Sequence, residues 1–225
     1  MEFIYSYGEI MYPMSYENML RHVERAGRTC YKSEDSIKPG SAEKFVSAIV
    51  RNGHEAVLEH GFLTVRFVTS RGLVDEILRH RTLKPPLSEP EPLLSPCVES
   101  TRYCNYSKDK FGRNVIFVMP YYIGFDKEAE DVHNKFVESC RKAEEAYLSL
   151  IDKGVPAEIA RDTLPLSVKS ECVLTGTIRA WRDFFRLRTG KGVHQELFEI
   201  TGPLLGELSR KWPAFFADIY EKNIS

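Results

Sequence analysis

Arginine recurs in this chain at spacings that would suit anion binding. Arg79-His80-Arg81 closes one candidate helix, Arg161 follows another, and Arg179, Arg182, Arg186 and Arg188 crowd a third. A guanidinium presents a planar fork of N–H donors that matches phosphate and carboxylate oxygens, so converging arginines suggest an anionic ligand. The bland alternative for the triplet is a helix C-terminus whose cations face the carbonyl end of the dipole, with Asp75 four residues before Arg79. Arg188 stands where an apolar stripe calls for another hydrophobe. It either snorkels to the surface, with Arg179 paired to Asp183, or reaches into a pocket for an anion or a pyrimidine carbonyl.

His54-Glu55 and Glu59-His60 raise the question of a metal. A zinc-protease helix carries its histidines four apart; these are six apart, and Leu58 stands four after His54. The spacing favours a polar pocket wall and no metal. Ser100-Thr101-Arg102-Tyr103 sets two hydroxyls beside a cation. No His-Asp partner adjoins Ser100 in sequence, and an unassisted serine is a poor nucleophile. Thiol attack by Cys104 or Cys97 is an alternative, but no flanking residue marks either as activated.

The elements that must position these groups follow from periodicity. Residues 2–7 read as a short strand and 16–26 as a helix capped by Ser15, with Gly27 near its end. Residues 41–50 form a second helix capped by Ser41, with Phe45, Ala48 and Ile49 facing inward. Asn52-Gly53-His54-Glu55 is a turn, and 62–69 a β-branched strand. The spacing predicts a helix over 70–81. Leu73, Ile77 and His80 share one of its stripes, and Val74, Leu78 and Arg81 another. Five prolines in 82–99 predict irregular structure for most of that run. Residues 102–106 and 114–119 read as strands of an antiparallel hairpin around Gly112. A helix over 126–152 presents Val132, Phe136, Cys140, Ala143, Tyr147 and Ile151, and a short helix begins at Pro156. Residues 167–175 are compatible with an extended run. Thr177 caps a helix on which Ile178, Trp181, Phe185 and Arg188 recur, 194–210 is a helix containing Pro203, and an apolar tail begins at Trp212.

Composition excludes some function classes. With 43% hydrophobic and 28% charged residues the chain is an ordinary globular protein, long enough at 225 residues to bury a sizeable core. A net charge of −1 argues against a general nucleic-acid binder, so any phosphate chemistry is local. No apolar run approaches membrane-spanning length, and the first residues lack the build of a signal peptide. Five cysteines with no Cys-x-x-Cys pair read as reduced cytoplasmic thiols. Without repeat or linker, one domain over 1–225 is the simplest organisation.

In order along the chain, several motifs resemble those of the flavin-dependent thymidylate synthases. They are His54-Glu55 with Glu59-His60, Arg79-His80-Arg81, Ser100-Thr101-Arg102-Tyr103, Ala160-Arg161 with Leu164-Pro165-Leu166, Gly176-Thr177-Ile178-Arg179, and Leu187-Arg188. No single piece is specific, but the ordered set spans most of the chain. The resemblance implies an α/β fold of the α+β type, with a twisted, largely antiparallel sheet flanked by helices, and a homotetramer with shared active sites. It implies reductive methylation of dUMP to dTMP with FAD, and with NADPH and methylenetetrahydrofolate as co-substrates. By resemblance, His54, Glu59, Arg79, His80, Arg81, Thr177, Arg179 and Asp183 would hold FAD. Glu76, Arg79, Ser100, Thr101, Arg102, Arg161 and Arg188 would hold dUMP, with Ser100 and Arg188 taking part in catalysis.

The chain also departs from the family's pattern. Glu76 stands where glutamine is common, and a carboxylate facing a phosphate is unfavourable unless protonated or turned away. Thr177 and Asp183 stand where amides are common. Residues 82–99 separate the Arg-His-Arg triplet from Ser100, where the family has a shorter connection. Ser88 lies within the insertion, but Thr101-Arg102-Tyr103 continues the family pattern and favours Ser100. The insertion leaves open a pyrimidine nucleotide C5 methylase or hydroxymethylase with another substrate. A non-catalytic nucleotide- or RNA-binding module is a further alternative, against which the near-neutral charge weighs.

Overall fold

The computed structural model describes residues 1–80, 94–125 and 130–224. Its strands are β1 (Glu2–Ile4), β2 (Tyr7–Met11), β3 (Phe62–Ser70), β4 (Leu94–Val98), β5 (Ile116–Val118) and β6 (Lys169–Thr177). Its helices are α1 (Tyr16–Thr29), α2 (Ser41–Arg51), α3 (Arg71–Leu78), α4 (Tyr121–Phe125), α5 (Glu130–Asp152), α6 (Ala157–Ala160), α7 (Ile178–Arg188), α8 (Gln195–Lys211) and α9 (Pro213–Asn223). The fold is thus mixed, with an antiparallel sheet flanked by helices. Among the described residues no helix is long and apolar enough to cross a membrane.

Hydroxyl side chains start three of the helices. Ser15, Ser70 and Thr177 each accept a hydrogen bond from the backbone N–H three residues on, at 3.2–3.3 Å, satisfying one of the donors a helix start leaves open. At α2 the cap is Gly40, whose φ of 79° a side chain would disfavour; Ser41, the expected cap, instead accepts from the Lys38 N–H at 3.0 Å. α3 is shorter than the 70–81 pattern predicts. The Arg79 N–H bonds back to the Glu76 carbonyl three residues earlier, which tightens and ends the helix before His80. The apolar stripes of α3 therefore stop at Ile77 and Leu78.

The larger sheet has the order β2-β3-β6-β4 and the smaller the order β1-β5. β6 runs antiparallel to β3. Gly61 lies opposite Ile178, the Thr64 and Thr175 hydroxyls are 2.8 Å apart, and the Arg71 N–H meets the Val168 carbonyl at 2.9 Å. Leu63, Val65 and Phe67 alternate along β3 and are fully buried, as period-two patterning requires.

One expectation for this part of the chain does not hold. β5 pairs in parallel with β1 from the N-terminus, and 102–106 is not a strand, so the predicted hairpin is absent. The Ser100 carbonyl draws the Tyr103 and Cys104 N–H groups into a turn, at 3.2 and 2.8 Å. The Pro-rich run 82–99, expected to be irregular for most of its length, contains β4 near its end, and residues 82–93 lie outside the described residues. That strand accepts Pro96 because it lies at the sheet's edge, where a missing N–H costs no ladder bond.

Contacts divide the chain into two compact units: Met1–Tyr7, Phe67–Arg79 and Cys97–Cys172 in the first, and Gly8–Arg66, His80–Pro96 and Val173–Ser225 in the second. The first unit packs Tyr106, Val115, Phe117, Cys140, Tyr147 and Val168 into one cluster, with Phe3 and Phe136 against it. Glu144 sits on the buried face of α5, where its carboxylate accepts the Val115 N–H at 2.8 Å and pairs with the N-terminal ammonium at 3.1 Å. At the other end of that helix Val132 is exposed, so the predicted stripe is buried only toward the C-terminal half. In the second unit Trp181, Phe184, Phe185 and Phe216 form an edge-and-face cluster with centroids 5.3–6.0 Å apart. Each such ring contributes about 2–3 kcal/mol by burial. The Trp181 indole N–H also donates to the Leu63 carbonyl at 2.8 Å, fixing α7 to β3. The apolar tail forms α9, with Pro213 in its first turn and Phe215, Phe216 and Ile219 buried.

Candidate active site

In the first unit, the turn after β4 and the segment after α6 bring together residues 60 positions apart. Arg161 Nη1 donates to Thr101 Oγ1 at 3.0 Å. Ser100 Oγ accepts the Arg102 N–H at 3.3 Å, and Ser100 and Thr101 are half-buried. Arg102 is exposed; its Nε donates to Glu158 at 2.9 Å and its guanidinium lies 5.4 Å from the Tyr103 ring centroid. Two hydroxyls and two guanidiniums therefore share one turn-and-helix neighbourhood, the donor-rich set an anion requires. Glu76 is half-buried on α3, and Arg79 caps that helix with its side chain exposed. Ser88 and Arg81 lie outside the described residues.

The base of this turn is held by charges that the sequence pattern did not single out. The Glu99 carboxylate meets Lys169 at 2.9 Å, and the Tyr106 hydroxyl donates to it at 3.3 Å. Burial alone would lower the Lys169 pKa, but the hydrogen bonds it donates to Glu171 and Glu99 outweigh it and hold the ammonium above its ordinary value. Burial, reinforced by Glu99, raises the Tyr106 phenol, so it stays a neutral donor. Cys172 is raised to about 11, chiefly by burial, and is a packing thiol. Cys104 packs against the first unit's core, and Cys97 is exposed.

In the second unit, the 3₁₀ turn Glu55–His60 lies against α7. A cleft of about 420 Å³ is lined by His54, Glu55, Val57, Arg179, Tyr31 and Ile49, among others. Arg179 Nη1 is 2.6 Å from Glu59 Oε1, so Arg179 pairs with Glu59 and not with Asp183, as its spacing on the helix suggested. Asp183 instead meets Arg186 at 2.8 Å. Thr177 caps α7, and its hydroxyl is occupied with the Ala180 N–H. His80 packs edge-on against Phe184, with centroids 5.3 Å apart. Arg188 ends α7 half-buried, and its carbonyl accepts the Thr201 hydroxyl at 2.7 Å.

Arg182, Glu55 and Asp218 form a network that sequence reasoning missed. Arg182 is 0% exposed, yet it donates to Glu55 at 3.0 Å, to both Asp218 oxygens at 2.8 and 2.7 Å, and to the Phe215 carbonyl. Arg186 reaches Glu55 as well. Burial would raise the Glu55 carboxyl, but the two guanidiniums overcome that and hold it below its ordinary range; Asp218 is lowered in the same way by Arg182. The crowding of arginines on α7 was visible in the sequence. The partners of Arg182, 33 to 127 residues away, were not.

A family model described as thymidylate synthase complementing protein matches residues 14–214. A probable flavin-dependent thymidylate synthase of Mycobacterium phage D29 is 32% identical over 206 residues, which cover 87% of this chain and 81% of that protein. The chain belongs to this family. A flavin-dependent thymidylate synthase of Geobacter sulfurreducens is 27% identical over 203 residues, covering 87% and 80% of the two chains. The fold matches that of a UMP/dUMP methylase from Streptomyces cacaoi, solved with 5-Br dUMP bound. The TM-score is 0.72 at 23% identity, and the match covers 99% of this chain and 97% of that one.

The family's flavin finds suitable groups in the second unit. Arg179 offers a guanidinium to a phosphate, His54 a polar edge, and Ile49, Val57 and Tyr31 an apolar wall. The first unit's Ser100, Thr101, Arg102 and Arg161 have the donor chemistry of a nucleotide phosphate and base site.

Proposed function

We propose that the protein is a flavin-dependent thymidylate synthase that methylates C5 of dUMP to dTMP, taking the carbon from methylenetetrahydrofolate and reducing equivalents from NADPH. One observation carries this reading: the bond from Arg161 to Thr101, beside Ser100, unites residues from separate motifs in one anion-suited group. Arg161 and Arg102 hold the nucleotide phosphate. Ser100 and Thr101 orient the pyrimidine, and Arg188 supplies a further cation to it. The Ser100 hydroxyl accepts from the Arg102 backbone, which suits an orienting group better than a nucleophile. Arg79 and Glu76 serve the same nucleotide. FAD, once reduced by NADPH, would supply the hydride that reduces the transferred one-carbon unit. His54, Glu59, Arg79, His80, Arg81, Thr177, Arg179 and Asp183 bind and orient it.

The working protein in this proposal is a cytoplasmic homotetramer, with residues 1–225 acting as one catalytic domain and 82–99 as an insertion. Free cysteines suit a reducing compartment. A purified protein should show flavin absorbance that bleaches under anaerobic NADPH, faster with dUMP, and mass spectrometry should find dTMP. A colourless protein that takes up no FAD would refute the proposal. Turnover of UMP or dCMP without dUMP would point to the related C5 methylase or hydroxymethylase.

A further inference from the structure

We propose that Glu99 is the positioning residue that aims the Ser100-Thr101-Arg102 turn at the nucleotide, an inference that rests on the function proposed above. Every polar group of this one residue is engaged, by three parts of the first unit. Its N–H donates to the Glu171 carbonyl at 2.8 Å, and its carbonyl accepts from Arg71 Nη2 at 3.0 Å. One carboxylate oxygen meets Lys169 at 2.9 Å, and the other accepts from Tyr106 at 3.3 Å. The anchors come from the start of α3, from β6 and from the core side of the loop that follows the turn. The backbone leaves Glu99 directly into Ser100, whose carbonyl and hydroxyl collect the N–H groups of Arg102, Tyr103 and Cys104.

The charges at this anchor are more than the fold alone requires. Glu99 and Lys169 side chains are 12% and 14% exposed, so the pair is held largely out of water, where an apolar pair would pack at lower desolvation cost. What a clamped charged pair adds is direction, because its hydrogen bonds fix both ends of a side chain whose backbone starts the turn. The pair borders a cavity of about 180 Å³ lined by Tyr106, Lys110, Phe111 and Asn114. Such a space admits a small carboxylate if the Glu99 side chain is removed.

The test uses the full-length protein with its flavin, and the variants Glu99→Gln, Glu99→Ala and Lys169→Gln. Hydrogen exchange at the Arg102, Tyr103 and Cys104 amides should rise about tenfold or more in each variant, the loss expected for a charge-assisted bond. Amides in α5 and α7 should keep wild-type rates. The dUMP dissociation constant, from equilibrium dialysis, should rise by a similar factor while flavin content stays unchanged. Formate should restore much of the loss in Glu99→Ala but not in Lys169→Gln. Wild-type exchange at the three turn amides in Glu99→Gln and Lys169→Gln would overturn the inference. If wild type binds no dUMP but exchange still responds, the anchor stands and the functional proposal fails. Should Glu99→Ala not fold, the Gln variants and Tyr106→Phe decide by the same exchange measurement.

Discussion

Removing the buried guanidinium of Arg182 tests the account of how the candidate flavin cleft is held. In Arg182→Met the stem is roughly conserved, and the bonds to Glu55, Asp218 and the Phe215 carbonyl are lost. Breaking a buried charge pair costs about 3–5 kcal/mol when the remaining partner is stranded. Two features place this case at the lower end. Asp218 is 49% exposed and can rehydrate, and Glu55 keeps Arg186. The Phe215 carbonyl loses a donor in the core, so the cost does not vanish. A loss of about 3 kcal/mol in a chain of this length lowers Tm by about 6–12 °C.

The assay is thermal unfolding followed by circular dichroism, at fixed protein and flavin concentrations. Its pH dependence carries a second check. The Glu55 and Asp218 carboxyls have folded values held below 4.5 and 3.8. Their contribution is therefore present above those ordinary values and lost as pH falls through the lowered ones. The gap in Tm between wild type and Arg182→Met should narrow below about pH 4. A variant within 2 °C of wild type at pH 7, by the same ~3 kcal/mol reasoning, would show that the network adds no net stability.

Other outcomes follow from named contacts. Arg161→Ala should raise the dUMP dissociation constant by about tenfold to a hundredfold, with flavin content unchanged; unaltered affinity in equilibrium dialysis would remove Arg161 from the nucleotide site. Arg179→Ala should lose flavin on desalting, while Glu59→Gln retains more of it, since it keeps an acceptor for the guanidinium; equal retention by Arg179→Ala and wild type in the absorbance spectrum would contradict the assignment. Gly27→Ala should cost about 1–3 kcal/mol in denaturant titration, because the new methyl would lie 2.7 Å from Phe45 and 2.8 Å from Val57. Tyr16 is pushed up to about 12, first by burial and then by Glu43 against the opposing Ala214 N–H. Its stabilising effect is full below the ordinary value of 10.0 and declines as pH rises toward 12, so Tyr16→Phe should flatten that part of the alkaline unfolding curve.

The helices were legible where a local signal coincided with a buried face. Ser15 and Thr177 announce α1 and α7 because a cap is a three-residue interaction, and Trp181 and Phe185 recur with the helix period. The 70–81 pattern overshot because His80 and Arg81 continue its periodicity, whereas the chain leaves the helix at a backbone bond the side chains do not encode. The hairpin error has a different origin. The 114–119 segment does hold a strand, but its partner is β1, more than a hundred residues away, and strand pairing at that range leaves no local trace. The candidate site divides in the same manner. Ser100, Thr101, Arg161 and Arg179 were found through motifs. Glu55 and Arg182 were visible in the sequence, but their pairing was not, and Glu99 and Lys169 were not singled out at all, because each acts through a distant partner.

Placing Pro96 in the outermost strand affects how copies of this protein meet. An uncovered strand edge offers a ladder of donors and acceptors on which another chain can grow as cross-strand polymer. Among the described residues, β4 closes one side of its sheet with a residue that has no donor to offer, and β2 closes the other with charged Glu9, Pro13 following two residues beyond its end. Sheet growth is thereby discouraged at both margins, leaving lateral self-association to side-chain surfaces, which specify geometry, and not to open backbone, which specifies none.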